Sequence, residues 1–332
     1  MINISQKLNP KLFDKDVEQI PIRKGFGEGF LEAGEKNPNI VGLSADLAES
    51  TQMHLFKNKF PERFIEVGIA EQNLASVASG LSAMGKIPFI SSFSAFSPGR
   101  NWEQIRTTIC YNNRSVVLVG SHAGFSDGAD GGTHQSLEDI ALMRVLPRMT
   151  VISPCDSIEA KKATLAAAES GKVVYLRLLR EKTPVMTTKD SPFEIGKAQL
   201  FYGEKDEKVD VGIVVTGSLV YKALKVAEAL KKEKISAKVL SVPTIKPIDN
   251  EAIINIAKTC GAIVTVEEHQ IAGGFGSAVA EVVVQNFSVP MEFIGVKDQF
   301  GQSGTPNELL EYYEIGESHI LFTCKEVIGR KN

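Results

Sequence analysis

The sequence predicts an α/β protein of two domains, each a mostly parallel sheet with helices on both faces. Three observations predict it. Short apolar, β-branched runs such as Ile40–Ser44, Ser115–Val119 and Val209–Thr216 alternate with segments of helical period. Such alternation is the pattern of parallel strands joined by crossover helices. The 332 residues exceed what one hydrophobic core ordinarily organises. Between 183 and 207 periodicity fades and charge rises around Pro184 and Pro192, which reads as a linker between domains at 1–182 and 208–332.

In order, residues 1–17 are polar and read as an arm. Pro21–Glu35 has helical spacing and stops at Asn37-Pro38-Asn39. Ile40–Ser44 is a strand ending in a polar loop, Ala45–Ser50, before a short helix at Met53–Phe60 and a strand at Arg63–Val67. A helix is expected from Glu71 to Met84, with Leu74, Val77, Leu81 and Met84 on one face. The rest of it is almost entirely Ala, Ser and Gly, so close packing on several sides is expected. Strand Lys86–Ser91, helix Asn101–Tyr111 and strand Ser115–Val119 follow, then helix Leu137–Leu146, strand Thr150–Ser153, helix Ser157–Ser170 and strand Val173–Leu178. The second unit alternates likewise. Its strands are Val209–Thr216, Ala237–Val242, Ala262–Glu267 and Met291–Ile294; its helices are Ser218–Lys232, Asn250–Cys260, Gly276–Gln285, Thr305–Tyr312 and Glu317–Ile328.

Composition narrows the function classes. Hydrophobic content of 43% with 23% charged residues describes a globular protein. A net charge of −3 supplies no electrostatic reason to bind nucleic acid or an anionic membrane. No apolar run approaches the roughly 18 residues of a spanning helix. Cys110, Cys155, Cys260 and Cys324 form no CxxC pair and read as buried free thiols of a cytoplasmic protein.

The chemistry gathers where strands end. Gly120–Leu137 holds five glycines with His122, Asp127, Asp130 and His134, directly after a buried strand. In open α/β sheets that edge is where ligands bind. The glycines let backbone approach a ligand, and the imidazoles and carboxylates supply proton-transfer and hydrogen-bonding groups. A solvated surface loop is the competing reading, and no spacing here matches a metal signature. Glu71 in a first helical turn suits the helix dipole, yet an acid on a chargeless buried helix needs a partner or is driven toward its protonated form. Phe93 and Phe96, among serines at a strand end, are plain core or the wall of a pocket for a flat ring. Gly273-Gly274-Phe275-Gly276 lacks both the Rossmann spacing and the Walker lysine, so close helix packing is the better reading. Glu267-Glu268-His269, just after a strand, reads as a hydrogen-bond cluster.

Ser44-Ala45-Asp46-Leu47, Gly68-Ile69-x-Glu71, Ser92-Phe93-x-x-Phe96 and His122 to His134, with its phrase Asp130-Gly131-x-Thr133-His134-Gln135, together resemble the pyrimidine-binding domain of transketolase. The second unit resembles the transketolase C-terminal domain. The resemblance implies thiamine diphosphate as cofactor and transfer of a two-carbon ketol group between sugar phosphates. It implies that Glu71 hydrogen-bonds the cofactor's aminopyrimidine, that Phe93 and Phe96 pack on that ring, and that Asp46 lies near the cofactor and a subunit interface. A third aromatic of the family's pocket is Gly99 here. His134 is implied in proton transfer, Asp130 and His122 in substrate binding, and Arg180, Arg23 and Ser50 in holding phosphate.

The diphosphate-binding module of a full transketolase carries GDG and a downstream Asn for the metal, a pattern that does not occur in these residues. The resemblance therefore implies the C-terminal subunit of a split transketolase. A separate N-terminal subunit would hold most of the Mg2+ contacts, and the assembly would be α2β2. Two other readings compete: the beta subunit of a thiamine-dependent 2-oxo acid dehydrogenase, and a 1-deoxyxylulose-5-phosphate synthase relative. The first lacks the histidine matching His122 and the Asp-Gly-x-Thr-His phrase; the second is one long chain. A non-catalytic binding protein that kept the fold is disfavoured by Glu71, Asp130 and His134.

Overall fold

A computed structural model describes residues 1–331. Fully buried β-branched and leucine runs build two sheets. The first has seven strands in the order 244–246, 149–152, 173–177, 117–121, 87–93, 40–44, 64–66, parallel except for the outermost, Thr244–Lys246. The second has five in the order 291–296, 263–270, 211–215, 237–241, 199–202, parallel except for Gln199–Tyr202. Helices cover the faces, so the chain is two α/β domains with mostly parallel sheets.

Local chemistry sets the element ends. Helix Ser157–Glu169 starts where the Asp156 side chain accepts the Glu159 N–H, and helix Asn250–Cys260 starts at Asp249 in the same way. The second ends at Gly261, whose φ of 67° closes the last turn. Aromatic stacking fixes helix Ile22–Lys36 to the first sheet: Phe30 lies 4.2 Å from Phe56 and 4.7 Å from Phe89, ring centre to ring centre. Each such fully buried ring contributes roughly 1.5–3 kcal/mol. One apolar cluster runs from Leu43, Ile90 and Leu118 through Val151 to Val242, Ile253 and Phe275, so the two domains share packed core.

Four features depart from the sequence reading. Residues 1–17 are not a free arm: Ile2 bridges Tyr202, Asn3 N–H donates to Phe201 O at 2.9 Å, and Leu12 is buried. The stretch 183–207 is partly structured, since Lys182–Pro184 pairs with Gln19–Pro21 and Gln199–Tyr202 joins the second sheet. The segment expected as a helix to Tyr111 is one α-turn, Trp102–Gln104, continued as a π-helix over Ile105–Tyr111. Helix Glu71–Ala83 buries only one side. Glu71, Leu74, Ala75, Ala78 and Ser79 face the core, while Gln72, Asn73, Ser76 and Gly80 are exposed and Met84, just past its end, is 82% exposed. Its small residues leave an uncharged outer face rather than marking burial all round.

Candidate active site

Parallel pairing brings the carboxyl ends of strands 40–44, 64–66, 87–93, 117–121 and 173–177 to one edge of the first sheet. The strand ends and the segments that follow them hold the candidate residues except Arg23, which lies in the first turn of helix Ile22–Lys36. Phe93 ends its strand and Phe96 follows one turn later, with ring centres 6.1 Å apart. Both are half-buried, which makes them a wall rather than core. The His122 ring stacks on Phe93 at 3.9 Å, and the half-buried His134 meets Phe96 edge-on at 5.4 Å. Beside them the Ser92 and Ser94 hydroxyls are buried without a hydrogen-bond partner.

Glu71 opens its helix and is 2% exposed. Arg100 Nη1 donates to Glu71 Oε2 at 2.7 Å, and Asn101 Nδ2 donates to the Glu71 backbone oxygen at 2.9 Å. The partner that burial demands is thus Arg100, half-exposed, with its guanidinium 4.8 Å over the Phe96 ring. Sequence reasoning did not single out Arg100. The signal was present, as the first charge after an otherwise uncharged run from Ile87 to Gly99. At Gly99 itself an added Cβ would meet Ala95 O at 2.0 Å, so this backbone leaves no room for an aromatic there.

A second chain of contacts runs to the other side. Arg23 Nη1 donates to Ser50 O at 2.5 Å and lies 3.2 Å from His122 Nε2. An arginine only donates, so His122 Nε2 is the acceptor and Nδ1, 2.8 Å from Ser121 Oγ, carries the proton. Burial, then Arg23 and Arg180, lowers the His122 pKa to about 3, which keeps the ring neutral. Its φ of 58° fixes it in a left-handed conformation at the strand end. Arg180 Nη1 pairs with Asp127 Oδ1 at 3.2 Å. Asp127 is buried, its Oδ2 has no partner, and burial raises its pKa. Asp127 belongs to the loop that the sequence marks for its chemistry, and its pairing with Arg180 is visible only in three dimensions.

Glu71, Phe93, Phe96, His122, His134, Arg23, Ser50 and Arg180 therefore share one neighbourhood. Asp46 and Asp130 are both exposed, on loops that follow strands 40–44 and 117–121, and their carboxylates make no hydrogen bond among the described residues. No group of three or more His, Cys, Asp or Glu side chains placed to hold a metal occurs among the described residues.

Three of the loop glycines pack against the second domain. An added Cβ at Gly124 would meet Glu268 Oε1 at 2.3 Å, at Gly131 Ser303 Oγ at 2.8 Å, and at Gly132 Gly301 O at 2.5 Å. At these three positions the backbone admits the second domain. The Glu267-Glu268-His269 cluster is likewise inside the strand 263–270 rather than after it, and buried. Glu267 accepts from Phe275 N–H at 2.6 Å and Gly276 N–H at 2.8 Å, so the glycine-rich helix start is filled by the protein's own carboxylate.

The family model for the transketolase pyrimidine-binding domain matches residues 18–186, and that for the transketolase C-terminal domain matches 202–320. The chain belongs to the transketolase family. A Methanocaldococcus jannaschii relative, provisionally described as a transketolase C-terminal section, is 44% identical, covering 90% of this chain and 93% of its own. The 6-deoxy-6-sulfo-D-fructose transketolase subunit SqwH of a Clostridium species is 39% identical, covering 96% of this chain and 98% of its own. A solved structure described as a split-gene transketolase, inactive β4 tetramer, is 42% identical with a TM-score of 0.87, covering 94% of this chain and all of that one. These transketolase-family relatives of matching length make the chain a transketolase-type enzyme component. No helix among the described residues is long and apolar enough to cross a membrane.

Proposed function

We propose that this chain is the C-terminal subunit of a thiamine-diphosphate-dependent transketolase. It moves a two-carbon ketol group from a ketose phosphate to an aldose phosphate, and is active only with a separate diphosphate-binding subunit. The observation that carries this reading is Glu71, a buried carboxylate already bonded to a charged N–H donor, beside a half-open aromatic wall. Arg100 supplies that donor, and a protonated pyrimidine nitrogen would present the same chemistry. The partnerless Ser92 and Ser94 hydroxyls and the flat faces of Phe93 and Phe96 suit an aminopyrimidine with its ring edge and amino group.

When bound, thiamine diphosphate supplies a carbon nucleophile for the ketose carbonyl. Glu71 would hold the proton at the pyrimidine N1′ through its buried carboxyl group. His134, on the open side of Phe96, moves protons at the substrate oxygens. Asp130 accepts from a substrate hydroxyl and His122 binds another as a neutral imidazole. Arg180 and Arg23, with Ser50, hold the phosphate, for which guanidinium forks suit a dianion. Asp46 sits toward the cofactor and the partner. The partner supplies most of the Mg2+ contacts, the assembly is α2β2, and the compartment is the cytoplasm, where the four buried free thiols stay reduced. The domain boundary falls within 183–207.

Two relatives support the need for a partner: one is named as a subunit, and the other is described as inactive when it assembles from β chains alone. The test mixes this chain with a diphosphate-binding chain, thiamine diphosphate and Mg2+ and screens ketose and aldose phosphates. A heteromer on size exclusion is expected, with ketol transfer that Glu71→Ala lowers about 100-fold or more. Failure to form the complex, or full activity in Glu71→Ala, overturns the proposal.

A further inference from the structure

The loop between Ser121 and Leu137 belongs to the first domain but is held by the second. Phe125 is buried in the second domain's apolar core, stacked on Tyr313 at 4.6 Å. Its N–H donates to Glu268 Oε1 at 2.6 Å. Glu268 is fixed in turn, because Arg177 Nη2 donates to its backbone oxygen at 2.8 Å while Arg177 Nε is held by Asp139 Oδ2 at 2.8 Å. At the far end of the loop, Gln135 Nε2 donates both to Gly128 O at 2.9 Å and to Gln302 O at 3.0 Å in the second domain. Gln270 N–H donates to Leu137 O at 2.8 Å. The glycines that would clash if substituted lie along the same contact.

We propose that Glu268 and Gln135 are positioning residues: through them the second domain sets the loop that presents His122, Asp130 and His134 to substrate. This rests on the function proposed above. The physical reason is geometric. A loop with four glycines has little conformational preference of its own, and a displacement of about 1 Å in substrate-contacting groups is costly for rate and binding. The anchors bracket the loop, Phe125 three residues after His122 and Gln135 next to His134. Neither side chain needs to touch substrate. Glu268 acts as an acceptor for one buried N–H, a role its amide analogue can also fill, whereas alanine leaves that N–H orphaned.

The test uses the reconstituted complex and, separately, amide hydrogen exchange on the full chain. In the complex, Glu268→Ala is expected to raise KM for the ketose phosphate donor about tenfold with a smaller change in kcat, and Glu268→Gln to restore it to within about threefold. Exchange of amides 123–135 should quicken in Glu268→Ala while those of strand 211–215 do not change. Gln135→Met keeps the volume and removes the two Nε2 donations, to Gly128 O and Gln302 O, that hold the loop, while the Oε1 it also removes has no partner to lose; it stands in should Glu268→Ala not fold. Unchanged KM and unchanged exchange in both variants overturn the proposal, as does a Glu268→Gln as impaired as Glu268→Ala. A wild-type pair without ketol transfer refutes the function instead, and the exchange arm still decides the positioning claim.

Discussion

Substituting Gly124 and Gly171 by alanine separates the two costs that a loop glycine can hide. Both have positive φ, 64° and 65°, so the backbone penalty for an L side chain is the same, roughly 1–2 kcal/mol. Their surroundings differ. Around Gly171 an added Cβ meets nothing within 4 Å, whereas at Gly124 it meets Glu268 Oε1 at 2.3 Å and the carboxyl carbon at 2.6 Å. Relieving that clash means moving a buried carboxylate off the Phe125 N–H. Overpacking costs about 1–3 kcal/mol and the orphaned donor a further ~1 kcal/mol or more. Gly124→Ala should therefore destabilise the chain by about 3–6 kcal/mol and Gly171→Ala by about 1–2 kcal/mol. Urea unfolding followed by circular dichroism measures both, provided the slope against denaturant is shared. Equal losses, within about 0.5 kcal/mol, would refute the reasoning: the contact with Glu268 would then contribute nothing, and Gly124 would serve only the turn.

Other predictions follow from single contacts. Burial, then the Asp156 charge, raises the Glu159 pKa to about 7, against 4.5 unfolded. The folded chain therefore keeps a proton that the unfolded chain loses above pH 4.5, so this contribution is full below that pH and is lost as pH rises toward 7. Urea stabilities at pH 5, 6 and 7 should fall by up to ~1.4 kcal/mol per unit more steeply for wild type than for Glu159→Gln; parallel slopes would exclude Glu159 as the source. Arg100→Ala leaves Glu71 buried without its cation, and because Arg100 is half-exposed the loss should be near 1–2 kcal/mol in the free chain, read by the same unfolding assay. Gly80, helical and with open space where its Cβ would be, should accept alanine with a gain of about 0.5–1 kcal/mol in thermal or urea unfolding. In the reconstituted complex, chelation of Mg2+ should abolish ketol transfer, and Mg2+ with thiamine diphosphate should restore it.

The sheets were legible because their residues obey local rules. Strand Ile40–Ser44 follows its β-branched run, and the covering helix Asn250–Cys260 begins and ends where its Asp249 cap and Gly261 say it should. Much of the site's neighbourhood was legible for the same reason: Phe93, His122 and Arg180 lie at or just after the ends of parallel strands. What was hidden depends on partners distant in sequence. Gly124 and Gly132 have the same local chemistry whatever approaches them, and the approach of Glu268 and Gly301 appears only in three dimensions. The small residues of helix Glu71–Ala83 suggested burial all round, yet Gln72 and Ser76 face outward. Thr244–Lys246, three residues before Pro247, is too short to read as a strand and pairs across the domain divide. The Arg100–Glu71 contact spans 29 positions and has no periodicity to betray it.

That three-residue strand has a consequence for how the molecule is made. Synthesis from the amino end completes residues 149–152 well before residues 244–246 emerge, so the nascent first half exposes an unzipped margin of main-chain donors and acceptors. A ribosome or an engineer stopping in the 183–207 stretch would leave the same raw border, prone to stick to another copy. The halves are thus mutually dependent in biogenesis: the tail of the polypeptide hems the sheet that its head began.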